Sequence, residues 1–171
     1  MLVAHYLGCH PFCYLFILTL GFLSDVFDGI IARKVGVSTD KLRSMDSWAD
    51  TTFYSCVFLV AIIEQHEAIS RYWILIAVLV GLELVRHIYD HIKFGKSASY
   101  HMWSAKFWGI CLYLGFLQLL VFGEAGYFFL AAIVIGIVTD IEGLLASILL
   151  TDWQADVPSI YHAYKIETDK Q

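Results

Sequence analysis

Five times between residues 2 and 150 the chain enters an apolar run close to the ~20 residues that an α-helix needs to cross the hydrocarbon layer of a bilayer. The runs fall at residues 2–23, 42–63, 72–92, 102–122 and 127–150. No water is available inside that layer to satisfy backbone N–H and C=O groups, so an open chain crosses it as helix. This constraint predicts an all-α fold, a polytopic membrane helix bundle of about five transmembrane helices. Composition agrees. Of 171 residues, 59% are apolar and 16% charged, against roughly 25% charged in a soluble domain. A net charge of −5 and a pI near 5.7 exclude a basic nucleic-acid binder. With only two prolines and twelve glycines there is no Pro/Gly-rich linker. We read one membrane domain over residues 1–150, followed by a polar cytoplasmic C-terminal tail, 151–171.

The first run continues in helical register through Arg33, and the polar, glycine-containing stretch 34–43 then reads as a turn. The apolar N-terminus has neither a basic n-region nor a small-residue cleavage site, so it reads as part of the first span rather than a signal peptide. His5, Cys9 and Cys13 share a helical face beside His10. Together with Cys56 and Cys111, these cysteines read as small apolar helix positions rather than a metal site or disulfide framework. Basic residues set the orientation: Arg33, Lys34, Lys41 and Arg43 follow the first span, and Lys93 and Lys96 follow the third. Only Arg71 lies on the other side. The basic loops face the cytoplasm, which places the protein in the inner (cytoplasmic) membrane.

Charged groups within membrane spans are costly and mark function by default. Asp25 and Asp28 are three residues apart, and Asp46 and Asp50 four apart, spacings that each put both carboxylates on one helical face. The turn between the two spans sets the pairs on neighbouring antiparallel helices at the cytoplasmic boundary. Four converging carboxylates need positive charge between them, and hard divalent cations such as Mg²⁺ or Mn²⁺ take carboxylate oxygens while keeping positions open for phosphate. Such a two-metal site suits phosphoryl transfer, with one carboxylate as general base. Gly29 leaves room for a ligand to approach the backbone, and Arg33 is placed to hold a phosphate.

The run Asp25-x-x-Asp28-Gly29-x-x-Ala32-Arg33, followed by Asp46-x-x-x-Asp50, resembles the signature of the CDP-alcohol phosphotransferases, membrane enzymes of phospholipid synthesis. The resemblance implies that Asp25, Asp28, Asp46 and Asp50 bind the metals, that Asp50 is also the catalytic base, and that Gly29, Ala32 and Arg33 line the CDP pocket. It implies transfer of a phosphatidyl group from a donor such as CDP-diacylglycerol to an alcohol, with release of CMP, in a homodimer. The chain departs from the pattern at Leu42, where the family has a second glycine that lets the nucleotide approach closely. Family members usually have six spans, with a helix before the motif-bearing one. Here about 24 residues precede Asp25, which leads us to expect a truncated start or a divergent branch.

Further along, Glu83, Arg86, His87, Asp90 and His91 share the third span, where Arg86 and Asp90 are spaced to pair. Arg86 and Lys106 are the candidate acceptor-binding cations, Lys106 alternatively reaching to lipid headgroups. Asp140 and Glu142 interrupt the fifth span, and we expect a buried pairing with Arg86 or a lining role. Two further readings compete with the enzyme: a cation transporter or channel with an acidic intramembrane site, and a non-catalytic family relic acting as a membrane partner. Transporters favour midplane charges on broken helices, whereas these four carboxylates gather at one boundary.

Overall fold

A computed structural model describes residues 6, 11–35 and 40–170, with side chains described from 11 to 27, at 45 and 49, and from 50 onward. It is an all-α fold: α1 Pro11–Val35, α2 Asp40–Glu64, the single turn α3 His66–Ser70, α4 Trp73–Phe94, α5 Trp103–Val121, α6 Tyr127–Leu149 and α7 Ile160–Thr168. No strand occurs among the described residues, only an isolated bridge between Ser99 and Ala155. α5 and α6 are long and apolar enough to cross a membrane, and in α1 the apolar stretch Pro11–Phe27 is shorter. The five long helices match the five apolar runs. The expected turn at 34–43 is narrower than read, because α1 runs to Val35 and α2 begins at Asp40; its centre, 36–39, lies outside the described residues. So do His5, Cys9 and His10, whereas Cys13 and Cys56 are half-buried and Cys111 buried, all three as free thiols.

The chain forms two compact units, residues 1–71 with 113–129, and residues 72–112 with 130–171. In the first, α1 and α2 meet at Gly21. A Cβ there would collide with the ring of Phe53, so glycine sets how closely the two helices approach. Nearer the other end of the pair, the buried Tyr14 donates its hydroxyl to Glu64 Oε1 at 2.8 Å. Aromatic rings fill the rest of this unit. Phe22 stacks on Tyr113 at 4.8 Å, Tyr54 on Phe116 at 6.3 Å, and Phe116 meets Phe129 edge-on. Thr19 Oγ1 and Tyr113 Oη share a hydrogen bond of 3.0 Å, satisfying two hydroxyls within the apolar layer.

The second unit is held by polar contacts, of which the Arg86–Asp140 pair was expected from the sequence and the partners of Asp90 were not. Asp90, fully buried, does not pair with Arg86. Its Oδ1 accepts from Ser147 Oγ at 2.5 Å and its Oδ2 from the Ala98 amide at 3.2 Å, tying α4 to α6 and to the following loop. Arg86 turns instead to Asp140, Nε to Oδ1 at 3.1 Å, an ion pair rather than an aligned hydrogen bond. Gly143 leaves room for it, since a Cβ there would lie 2.9 Å from Arg86 Cδ. Lys93 Nζ donates to the carbonyls of Ser147 and Ile148, placing a cation on the exposed C-terminal carbonyls of α6. α4 ends at Gly95, whose φ of 71° is the left-handed conformation that closes a helix and suits glycine.

Residues 151–170 are not a loose tail. Val157 and Ala163 are buried with Tyr100, Met102, Ala146 and Leu150 in one apolar cluster. Glu142 joins three helices there: it accepts from Ser104 Oγ at 2.5 Å and from the Ile160 amide at 3.2 Å, so its carboxylate sits on the positive N-terminus of α7. Burial holds the Tyr100 hydroxyl protonated to higher pH than usual. Glu167 accepts from both Thr151 Oγ1, at 2.7 Å, and the Thr151 amide, at 3.2 Å, and these bonds hold its carboxyl below the usual range.

Two tests follow from these contacts. Gly21→Leu should lower the melting temperature in detergent, at a cost of about 1–3 kcal/mol for overpacking. Gly81→Ala, at a helix position with open space around it, should leave stability unchanged or raise it by up to ~1 kcal/mol. Because folding lowers the Glu167 pKa, its contribution is present above the ordinary glutamate value of 4.5 and lost as pH falls through the lower folded value. The Thr151 amide resonance should therefore titrate with a midpoint below 4.5, and Glu167→Gln should abolish that titration.

Candidate active site

Asp25, Asp28, Gly29, Ala32 and Arg33 all lie on α1, and Asp46 and Asp50 on α2. At 100° per residue, Asp25, Asp28, Gly29 and Ala32 fall within one face of α1, with Arg33 at its border, and Asp46 and Asp50 are 40° apart on α2. The Gly21–Phe53 contact sets the level at which these faces meet. Four and seven residues beyond Gly21 come Asp25 and Asp28; three and seven residues before Phe53 come Asp50 and Asp46. One and two turns past the contact, each helix therefore carries a carboxylate. The side chains of Asp28, Arg33 and Asp46, and the surroundings of Gly29 and Ala32, lie outside the described residues, as does Leu42.

Asp25 and Asp50 are described, and both are half-exposed, so water or a phosphate can reach them. Both lie within electrostatic reach of the Tyr54 phenol. Tyr54 was missed by the sequence reading. Its signal was its spacing, one helical turn beyond Asp50. Its ring, stacked on Phe116 and edge-on to Phe53 at 5.3 Å, belongs to the aromatic layer beneath the acids.

Among the described residues no group of three or more His, Cys, Asp or Glu converges as a metal site; two of the four candidate ligands lie outside that set. The donor chemistry still fits one cation type. Carboxylate oxygens are hard ligands that suit Mg²⁺ or Mn²⁺. The histidines of α4 do not form an alternative: His87 Nδ1 bonds Ser97 Oγ at 3.0 Å and His91 Nδ1 bonds the carbonyl of His87 at 3.1 Å. Of the two acceptor-side candidates, Arg86 is engaged by Asp140, and Lys106 lies over the Trp103 ring with its Nζ 5.1 Å from the centroid.

The family model described as CDP-alcohol phosphatidyltransferase matches residues 1–151. No curated protein and no solved structure matches the chain significantly.

Like charges on one helical face destabilise it by roughly 0.2–0.5 kcal/mol per pair, which gives the acidic cluster a measurable signature. In a chelator, Asp28→Asn or Asp46→Asn should melt at a higher temperature than the wild type. With Mg²⁺ added the order should reverse, because each variant loses a ligand. Equal responses of variant and wild type to Mg²⁺ would remove that residue from the metal set.

Proposed function

Because the chain belongs to the CDP-alcohol phosphatidyltransferase family, we propose that it catalyses transfer of a phosphatidyl group from CDP-diacylglycerol to an alcohol in phospholipid biosynthesis. The observation that supports this reading is the Gly21–Phe53 contact between α1 and α2, from which Asp25 and Asp28 lie four and seven residues onward and Asp50 and Asp46 three and seven residues back. The domain that performs it is residues 1–150. In the reaction the acceptor hydroxyl oxygen bonds to the phosphorus bearing the diacylglycerol. The bond from that phosphorus to the bridging oxygen breaks, and CMP leaves with that oxygen and its electron pair. Asp50 takes the hydroxyl proton. It is suited to this by its half-exposed position on the rim, where an alcohol from water can reach it.

Asp25, Asp28, Asp46 and Asp50 would hold Mg²⁺ or Mn²⁺, and such ions neutralise pyrophosphate oxygens and ease departure of the leaving group. Gly29, Ala32 and Arg33 are assigned to the cytidine diphosphate, where an arginine can grip phosphate by two N–H groups at once. Leu42 in place of the family's second glycine crowds that approach and points to an altered nucleotide pose. For the acceptor we assign Arg86 and Lys106, cations suited to an alcohol that itself carries a phosphate. The basic residues at the end of α1 and the start of α2 (Arg33, Lys34, Lys41, Arg43) and at and just after the end of α4 (Lys93, Lys96) would orient the acids toward the cytoplasm.

The test is CMP release from CDP-diacylglycerol with Mg²⁺ or Mn²⁺, over a panel of alcohols and alcohol phosphates. Wild type should release CMP, and Asp50→Asn should lower the rate about 10²–10⁴-fold, the range for losing a general base. Cation flux through proteoliposomes without CMP would assign the acids to transport. Neither signal would leave a non-catalytic membrane partner.

A further inference from the structure

α7 is short and amphipathic, but its buried side is narrow. Ala163 is fully buried in the apolar cluster, with Ile166 packed against it. The opposite side carries Tyr161, 68% exposed, Tyr164, 60% exposed, then Lys165 and Thr168, also exposed. At 100° per residue these four fall within one stripe. Two large rings turned outward are unexplained by packing.

Their level in the fold is known. The cluster that anchors α7 includes Ala146 and Leu150 at the end of α6, and Phe94 at the end of α4 packs against it. In those same turns Ile92 on α4 is 81% exposed, and Ile148 and Leu149 on α6 are exposed too. The lipid-facing apolar surface of α4 and α6 therefore reaches the level of α7. Lysine–aromatic pairs cluster at the same end. Lys96 Nζ lies 3.3 Å above the Trp153 ring, and Lys106 lies over the exposed Trp103 at the start of α5. Rings with one apolar body and one polar tip, beside lysines that can reach phosphate, are the chemistry of the membrane–water interface.

We infer that α7 lies in the headgroup layer of the bilayer, its Tyr161/Tyr164/Lys165 stripe against lipid, so that residues 151–170 form an interfacial anchor rather than a free tail. The tyrosine rings sit at the acyl boundary with their hydroxyls among the headgroups, and Lys165 faces lipid phosphate. The anchor holds the loop 95–102 through two contacts: Trp153 Nε1 donates to the Ser97 carbonyl at 3.1 Å, and the Asp156 amide donates to the Ser99 carbonyl at 3.0 Å.

A spin label at Thr168→Cys, in the middle of the stripe, tests this in the full chain with its native cysteines replaced. The protein is reconstituted in nanodiscs of phosphatidylcholine and phosphatidylglycerol. The label should collide with oxygen in preference to a water-soluble nickel chelate, at the depth of shallow lipid-borne quenchers. Adding Tyr161→Ser and Tyr164→Ser, which leaves the Ala163 side untouched, should raise nickel access severalfold. A label as open to the nickel chelate as one at Asp152→Cys, with both tyrosines present, would overturn the inference. So would a label shielded from oxygen and nickel alike, which would mean that protein covers the stripe, or a depth indifferent to the tyrosines.

Discussion

The approach of α1 to α2 across Gly21 is the contact on which the proposed chemistry depends. With no Cβ to hold them apart, the helices close onto the Phe53 ring, and everything one or two turns beyond is then set by helical rise. Asp25 and Asp28 on one helix, and Asp50 and Asp46 on the other, stand at matching distances along the sequence from that contact, as the proposed site requires. A displacement of one residue would rotate either helix by 100° and turn one acid pair away from the other. The stacked rings of Phe22, Tyr54, Tyr113 and Phe116 stiffen the arrangement. In the proposed site, repulsion among the acids would be resisted by this packing.

Much of this could be read in the residues. Long apolar runs have one structural outcome in a bilayer, so five helices at the five runs followed from length and hydropathy alone. The acid motif was equally plain, because spacings of three and four project onto one face whatever surrounds them. The partners of single buried charges were harder. Of the two partners open to Arg86, the distant Asp140 is the one it takes, and spacing within α4 could not show that Asp90 turns to Ser147 on α6. For the same reason Glu142 looked like an interruption of α6, although its carboxylate stands at the head of α7.

The C-terminal segment shows why polar composition misleads at short range. Residues 151–170 read as polar, yet Val157 and Ala163 are buried in the apolar cluster with Ile166 packed against it. α7 is amphipathic, but at nine residues its period is too short to stand out within a polar segment. Its attachment comes from backbone and carboxylate hydrogen bonds, which hydropathy does not register.

The full burial of Asp90 also constrains how the protein is made. α4 carries Glu83, Arg86, Asp90 and Lys93, and each Asp, Arg or Lys near a helix centre costs about 2.5–3.5 kcal/mol on insertion scales. The groups that neutralise Arg86 and cap Asp90 reside on α6, some fifty to sixty residues later in synthesis. α4 is therefore poorly suited to lipid on its own, and α4 and α6 should partition into the membrane as a pair.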